Sequence, residues 1–352
     1  MSSEVETPFG VCPMPVLDHK VVILGHGSGG TLTTQLIEGI FLPAFGNPVL
    51  DRMDDQAVLP FSGGRIAFTT DSYVVTPVFF PGGDIGSLAL HGTVNDLAMC
   101  GARPLWISAA FILEEGLPLD DLRRVVLSMR AAAHAAGVHV VTGDTKVVGK
   151  GSGDQLFVNT SGLGVVPDGV SISADRARPG DAVLLSGTVG DHGMAIMTAR
   201  EGLGLEGTIV SDTAALHGLV AALLAAAPDV HVLRDPTRGG VAATLHEIAG
   251  KSRVGIELVE DAVPVRAEVR GACEILGLDP LYVANEGKLV GFVPNESADA
   301  ALAALRAHPL GKDAVRIGTV TADHPGLVAV RTSIGGSRVL ERPYGELLPR
   351  IC

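Results

Sequence analysis

The chain has 352 residues, which suggests two domains at roughly 100–200 residues each. Apolar residues make up 47% and charged residues 18%, which excludes an intrinsically disordered chain. The formal net charge of −13 argues against nucleic acid or anionic lipid as a partner, so a bound nucleotide must be met by metal ions or local cations.

In chain order, VVIL at 21–24 reads as a strand and TLTTQLIEGIF at 31–41 as a helix, with Gly25-His26-Gly27-Ser28-Gly29-Gly30 between them. The loop matches GxGxxG, and Asp51 lies 21 residues past Gly30, close to dinucleotide-binding spacing. Three readings stay open: a dinucleotide turn, another phosphate-contacting loop, or a plain loop before a helix. Residues 65–70 predict a strand leading into Asp71, and residues 87–100 a helix carrying Asn95 and Asp96. The strongest helix lies over 120–136, where Leu122, Val125, Val126, Met129, Ala132, Ala133 and Ala136 share one face. Asp120 and Asp121 begin it, and Gly137 ends it. Residues 138–141 then read as a strand entering a polar loop, TGDTK, which puts Asp144 and Lys146 at a strand's carboxyl end.

Residues 157–166 predict another strand, and the turn-rich stretch near 166–180 a domain boundary. Asp191-His192 sits at a loop or helix start with no evident role. In Asp235-Pro236-Thr237-Arg238-Gly239-Gly240 the glycines permit close backbone approach, and Asp or Thr is expected to cap a helix over 241–249. Residues 281–284 read as a strand ending at Asn285-Glu286-Gly287-Lys288, with a second strand over 289–293. Strands and helices alternate, so the class is mixed α and β, α+β in organisation. The limits expected are residues 1–168, 175–331 and a mobile tail over 332–352.

The longest unbroken apolar run, Leu219 to Ala227, is nine residues, too short to span a membrane. The acidic start MSSEVETPFG does not resemble a signal peptide, and four scattered cysteines form no CxxC pair. A cytoplasmic protein with reduced thiols is expected.

Asp54-Asp55, Asp71, Asp96, Asp144 and Asp235 are acidic positions that would repel one another unless a cation sat among them, and Mg²⁺ favours such oxygens. Taken singly, each also fits a cap or turn. Lys146 and Glu286 suit acid–base work or an ordinary ion pair. Cys352 is the last residue, and from Gly336 its 16 residues reach at most ~53 Å at roughly 3.3 Å each. Its own carboxylate disfavours the thiolate, so activation needs a base or a cation, and Arg350 is adjacent.

Together, Gly25–Gly30, Asp54-Asp55, Thr70-Asp71-Ser72, PVFFPGGDIG at 77–86, GTVNDLAM at 92–99, GDTKVV at 143–148, DPTRGG at 235–240, NEGKLV at 285–290 and the final LPRIC resemble the HypE family of carbamoyl dehydratases. The central motifs are shared with the wider superfamily of aminoimidazole ribonucleotide synthetase (PurM), selenophosphate synthetase and thiamine monophosphate kinase. PVFFPGGDIG and PRIC are more specific, and Gln56 is a local departure where a small residue is expected.

The resemblance implies a two-domain PurM-like fold, an N-terminal mixed-sheet unit and a C-terminal α/β sandwich, dimeric through the former. It implies ATP and Mg²⁺ in a cleft between them. Asp54, Asp55, Asp96 and Asp235 would serve the metal, and Asp71, Asn95, Asp144, Gly27, Gly29 and Gly30 the nucleotide. Cys352 would receive a carbamoyl group from the carbamoyltransferase HypF. Glu286 and Lys146 would move protons as the group is dehydrated to a thiocyanate. The cyanide would pass to iron on HypC–HypD for nickel–iron hydrogenase. Competing expectations are another ATP-using synthetase or small-molecule kinase with Cys352 idle, a dinucleotide-dependent oxidoreductase, and a non-catalytic adaptor.

Overall fold

The computed structural model describes residues 19–23, 26, 35–48, 63–201, 209–342 and 351–352. The expected metal residues Asp54 and Asp55 and the loop glycines Gly27, Gly29 and Gly30 lie outside the described residues.

The first half builds one four-stranded sheet. After a short helix α1 (Leu42–Phe45) come β1 (Arg65–Tyr73), the two-residue strands β2 (Phe79–Phe80) and β3 (Gly83–Asp84), α2 (Ile85–Met99), β4 (Arg103–Glu114), α3 (Leu119–Ala136), β5 (His139–Val148) and β6 (Leu156–Val166). The order is β1-β6-β4-β5, antiparallel except for β4 beside β5. Buried and half-buried residues alternate along β6, so one face meets the helices and the other is more open. The buried residues of α3 include Leu122, Val125, Val126 and Met129, each worth about 1.5–3 kcal/mol on burial. Gly137 closes it in the left-handed region at φ 66°. No side chain caps its start, so Asp120 and Asp121 act on the helix dipole instead.

The second half forms a seven-stranded sheet, introduced in chain order as β7 (Ala182–Leu185), α4 (Asp191–Glu201), α5 (His217–Ala226), β8 (Val232–Arg234), α6 (Gly240–Ser252), β9 (Gly255–Val259), α7 (Ala267–Leu276), β10 (Val290–Val293), α8 (Ala298–Ala307), β11 (Val315–Thr321), β12 (Val328–Arg331) and β13 (Ser337–Val339). The sheet order is β13-β12-β9-β11-β7-β10-β8. Every residue of β7 and β10 is buried, as expected for a sheet covered on both faces. One face packs on α6 through Val241, Leu245 and Ile248, and the other on α5 and α8 through Leu219, Leu223 and Leu305. The first-half core continues into α4 and α7 and takes in Ile351, which is 3% exposed.

Three expectations are corrected. TGDTK is strand, not loop: Gly143 pairs with Ala109, and a Cβ there would lie 2.3 Å from the Ala109 carbonyl oxygen, so glycine permits the pairing. Residues 281–284 are not a strand: Leu281 and Tyr282 belong to a 3₁₀ turn, Pro280–Tyr282, and Val283 and Ala284 follow it. The tail expected from 332 instead begins with a hairpin, in which Gly335 (φ 86°) turns β12 into β13. Among the described residues, no helix is long and apolar enough to cross a membrane.

Candidate active site

A cavity of about 220 Å³ opens where the two sheets' loops meet, lined by Thr70, Asp71, Gly92, Asp96, Arg234, Asp235, Thr237, Arg238, Glu286 and Cys352. Four of these are acids and two are arginines, so the cavity is anionic.

Asp71 comes from the far end of β1, and Asp96 from α2. The start of α2 is set by Asp84, whose carboxylate accepts from the N–H groups of Gly86 (2.7 Å) and Ser87 (3.1 Å) while the Ser87 hydroxyl answers the Asp84 amide. Gly86 fits against α3, since a Cβ there would lie 2.3 Å from the Val125 carbonyl oxygen. This explains the PGGDIG motif as a helix start and a close crossing. Gly92 leaves room for Tyr73, whose hydroxyl oxygen would lie 2.1 Å from any Cβ added there. Thr69 donates to Asp96 at 2.7 Å, yet burial raises the Asp96 carboxyl above its usual range.

Asp235 and Arg238 lie in the loop before α6. Gly239 and Gly240 both adopt positive φ, and no side chain caps the helix, so the expected capping role falls away. Burial, with the charge of Asp96 next, pushes the Asp235 carboxyl up to about 7. Arg238 lies 3.8 Å from Asp71, and its guanidinium is held charged foremost by Cys352.

Glu286 is 2% exposed. Burial drives its carboxyl well above the ordinary value, reinforced by Asp235, Asp212 and Asp71 and opposed by Arg238. One carboxyl oxygen, Oε1, is buried without a hydrogen-bond partner. Asn285 fixes the loop, accepting from Gly190 N at 2.8 Å and donating to the Pro236 carbonyl at 3.0 Å. The main chain of Cys352 is held as well, for Val74 N–H donates to its oxygen at 3.1 Å.

Among the described residues, the structure thus gathers Asp71, Asp96, Asp235, Glu286 and Cys352, but not Asn95, Asp144 or Lys146. Asn95 is buried, and its amide donates to the carbonyls of Ala214 and Glu286 and accepts from Leu216 N–H; it braces the Glu286 loop rather than facing the cavity. Asp144 and Lys146 pair with each other at 3.4 Å and are exposed. The register sets them beside Ala110 and Ile112 on the open face of the sheet. Strands lie about 4.8 Å apart, so β5, three strands from β1, is about 14 Å from the cavity rim, beyond the reach of Lys146 to its own Glu286. Among the described residues, no cluster of three or more His, Cys, Asp or Glu forms a ready metal site. Arg234, Asp212, His192 and Ile351 also belong to the site or its surround; no local sequence signal marks Arg234 or Asp212, and the motifs that contain His192 and Ile351 assign them no role.

Residues 53–166 match the N-terminal domain, and 178–330 the C-terminal domain, of AIR synthase related proteins. The chain therefore has the two-domain, PurM-like architecture of that class. Carbamoyl dehydratase HypE of Azotobacter vinelandii is 60% identical over 327 residues, covering 93% of this chain and 96% of the relative. A HypE crystal structure in complex with ATP has a TM-score of 0.91 and 52% identity, covering 94% of this chain and 99% of that one. A HypE–HypF complex structure scores 0.77 at 50% identity, covering 89% and 100%. The chain belongs to the HypE family of carbamoyl dehydratases and has a role in hydrogenase maturation.

Proposed function

We propose that the chain converts an S-carbamoyl group on Cys352 into a thiocyanate at the expense of ATP, which becomes ADP and phosphate. The observation that supports this most is the lodging of Cys352 in the same small anionic cavity as the buried Glu286. A buried carboxylate with a raised pKa is a stronger base once ionised. Glu286 would take a proton from the carbamoyl N–H, so that the amide oxygen attacks the γ-phosphorus and ADP departs. Loss of the second N–H proton then breaks the C–O bond, expelling phosphate and leaving S–C≡N.

ATP is carried over from the HypE relative crystallised with it. Asp71 would contact the nucleotide, and the resemblance assigns its phosphates to Gly27, Gly29 and Gly30. The hard oxygen donors fit Mg²⁺, held by Asp96 and Asp235 with Asp54 and Asp55, and the bound ion would neutralise phosphate charge.

A second copy would complete the site. Ile66, Phe68 and Ile112 are 53%, 68% and 43% exposed on one side of the first sheet, and the cavity residue Thr70 rims that same face. Covering this face with its equivalent buries them, and brings Asp144 and Lys146 of one copy to the cavity of the other. HypF would load Cys352, a reading supported by the crystal structure of a related HypE–HypF complex, and the family resemblance suggests HypC–HypD as the cyanide acceptor. A reduced Cys352 thiol suits a cytoplasmic setting.

Mass spectrometry of the C-terminal peptide tests the reading. With HypF, carbamoyl phosphate and ATP, the carbamoyl adduct forms and then loses one water, and Cys352→Ala shows neither. An adduct that never loses water while ATP is supplied overturns it.

A further inference from the structure

His192 is fully buried at the start of α4 and has no part in the chemistry above. Its Nε2 lies 2.6 Å from the main-chain carbonyl oxygen of Ile351. A carbonyl only accepts, so Nε2 carries the proton and Nδ1 is left to accept. Nδ1 lies 2.8 Å from the Ser211 hydroxyl, which donates to it and in turn accepts from Thr213 N–H at 3.1 Å. The Phe80 ring stands edge-on to the imidazole, 5.6 Å away at 89°. The imidazole is therefore fixed in both tautomer and orientation. The Ile351 side chain is sunk in the first-half core, and Val74 N–H holds the next residue's main chain. Three independent contacts thus read the dipeptide that carries the thiol.

We propose that His192, oriented by Ser211, is the docking residue for Ile351-Cys352, and that the Ile351 side chain is its apolar anchor. Together they decide when Cys352 sits at Glu286. The ligand class is a short peptide, this chain's own last two residues, recognised by main-chain hydrogen bonds and one aliphatic side chain. The inference deepens the dehydration reading and rests on it for its purpose, but docking itself has a separate readout.

That readout is the alkylation rate of Cys352 by iodoacetamide in the full-length protein, followed by peptide mass spectrometry. Cys273 is buried and its thiol is pushed up to about 11, so its lack of reaction reports an intact fold. His192→Leu and Ile351→Asp raise the Cys352 rate about tenfold, as loss of one docking contact predicts. His192→Gln, whose amide N–H can still donate, stays within about twofold of the parent. Ile351→Asp lies at the chain's end and keeps the test open should the His192 variants fold poorly. Equal rates in all four proteins, or Gln behaving like Leu, overturn the proposal. So does water loss from the carbamoylated thiol at the parent rate in His192→Leu. If the parent loses no water but the alkylation order holds, docking stands and only the dehydration reading falls.

Discussion

The main-chain N–H of Glu286 donates to Oδ1 of Asp212 at 3.1 Å, so the proposed base is pinned by a carboxylate that also opposes its charge. Oδ2 of Asp212 lies 3.1 Å from Lys288 Nζ, an ion pair in the interior beside the Glu286 loop. Asp212→Asn preserves an acceptor for the Glu286 amide and removes the charge. Glu286 acts in its ionised form, and its raised pKa puts the acid limb of the rate at higher pH than an ordinary carboxyl would. Without Asp212's charge that pKa falls, so the acid limb moves to lower pH. The pH dependence of water loss checks this, and an unmoved limb refutes it.

Glu286→Gln keeps shape and volume but cannot accept the proton. Water loss falls about 10²–10⁴-fold, the usual contribution of a positioned base, while carbamoyl loading of Cys352 continues. The melting temperature stays level or rises, because a buried carboxyl with an unpartnered oxygen is replaced by a neutral amide. Mass spectrometry and a thermal melt read the two effects separately.

Gly287 follows Glu286 in that loop and packs closely against the Asp212 backbone. A Cβ at this position would lie 1.7 Å from the Asp212 carbonyl oxygen, so the backbone itself must move. Gly287→Ala is expected to cost about 1–3 kcal/mol of stability and to lower the rate further than that loss explains, since Glu286 moves with it. Urea unfolding beside the water-loss rate distinguishes the two contributions.

What the sequence made legible follows from how local each signal was. The helix over 120–136 carries its apolar stripe and glycine stop within 18 residues, and the structure places it at Leu119–Ala136. β1 and the second strand of the NEGKLV segment are equally local. TGDTK misleads because Gly143 and polar neighbours imitate a turn, whereas the glycine serves a strand pairing set by distant β4. Asp71, Asp96, Asp235, Glu286 and Cys352 were nameable by type and motif. Their convergence depends on two sheets meeting, which no spacing encodes. Asn95, which the resemblance assigns to the nucleotide, makes hydrogen bonds to backbone 119 and 191 residues away, contacts that no local pattern announces. His192 and Ile351 meet across 159 residues, so nothing near either one marks the contact.

His91 is set to govern acid stability. Burial, with His217's charge next, lowers its pKa from 6.5 to about 4, while Nδ1 faces the Thr213 hydroxyl at 3.0 Å. The folded state holds this imidazole neutral, so on acidification the unfolded chain takes up the proton first. Stability contributed by His91 is whole above pH 6.5 and is lost as pH falls toward 4, by about 3 kcal/mol in all. His91→Gln removes that loss, so the melting temperatures of variant and parent draw together, or cross, between pH 7 and pH 5. Parallel curves over that range would exclude His91 as the source.

Lys146 decides whether the site belongs to one chain or two. In its own chain it lies across the sheet from Glu286, on the open face that carries Phe68 and Ile112. If a second copy covers this face, each cavity takes Glu286 from one subunit and Lys146 from its partner. Lys146→Ala and Glu286→Gln are then each inactive alone, yet a mixed dimer holds one intact cavity. Random mixing makes half the dimers mixed with one of two cavities working, so about a quarter of parental activity returns. A site complete within one chain returns none. Phe68→Glu, which places a charge on the covered face, is expected to yield monomers by light scattering and to abolish the recovery. The recovery must therefore depend on assembly, and full water loss by Phe68→Glu monomers that keep both Lys146 and Glu286 would show that Lys146 acts in its own chain.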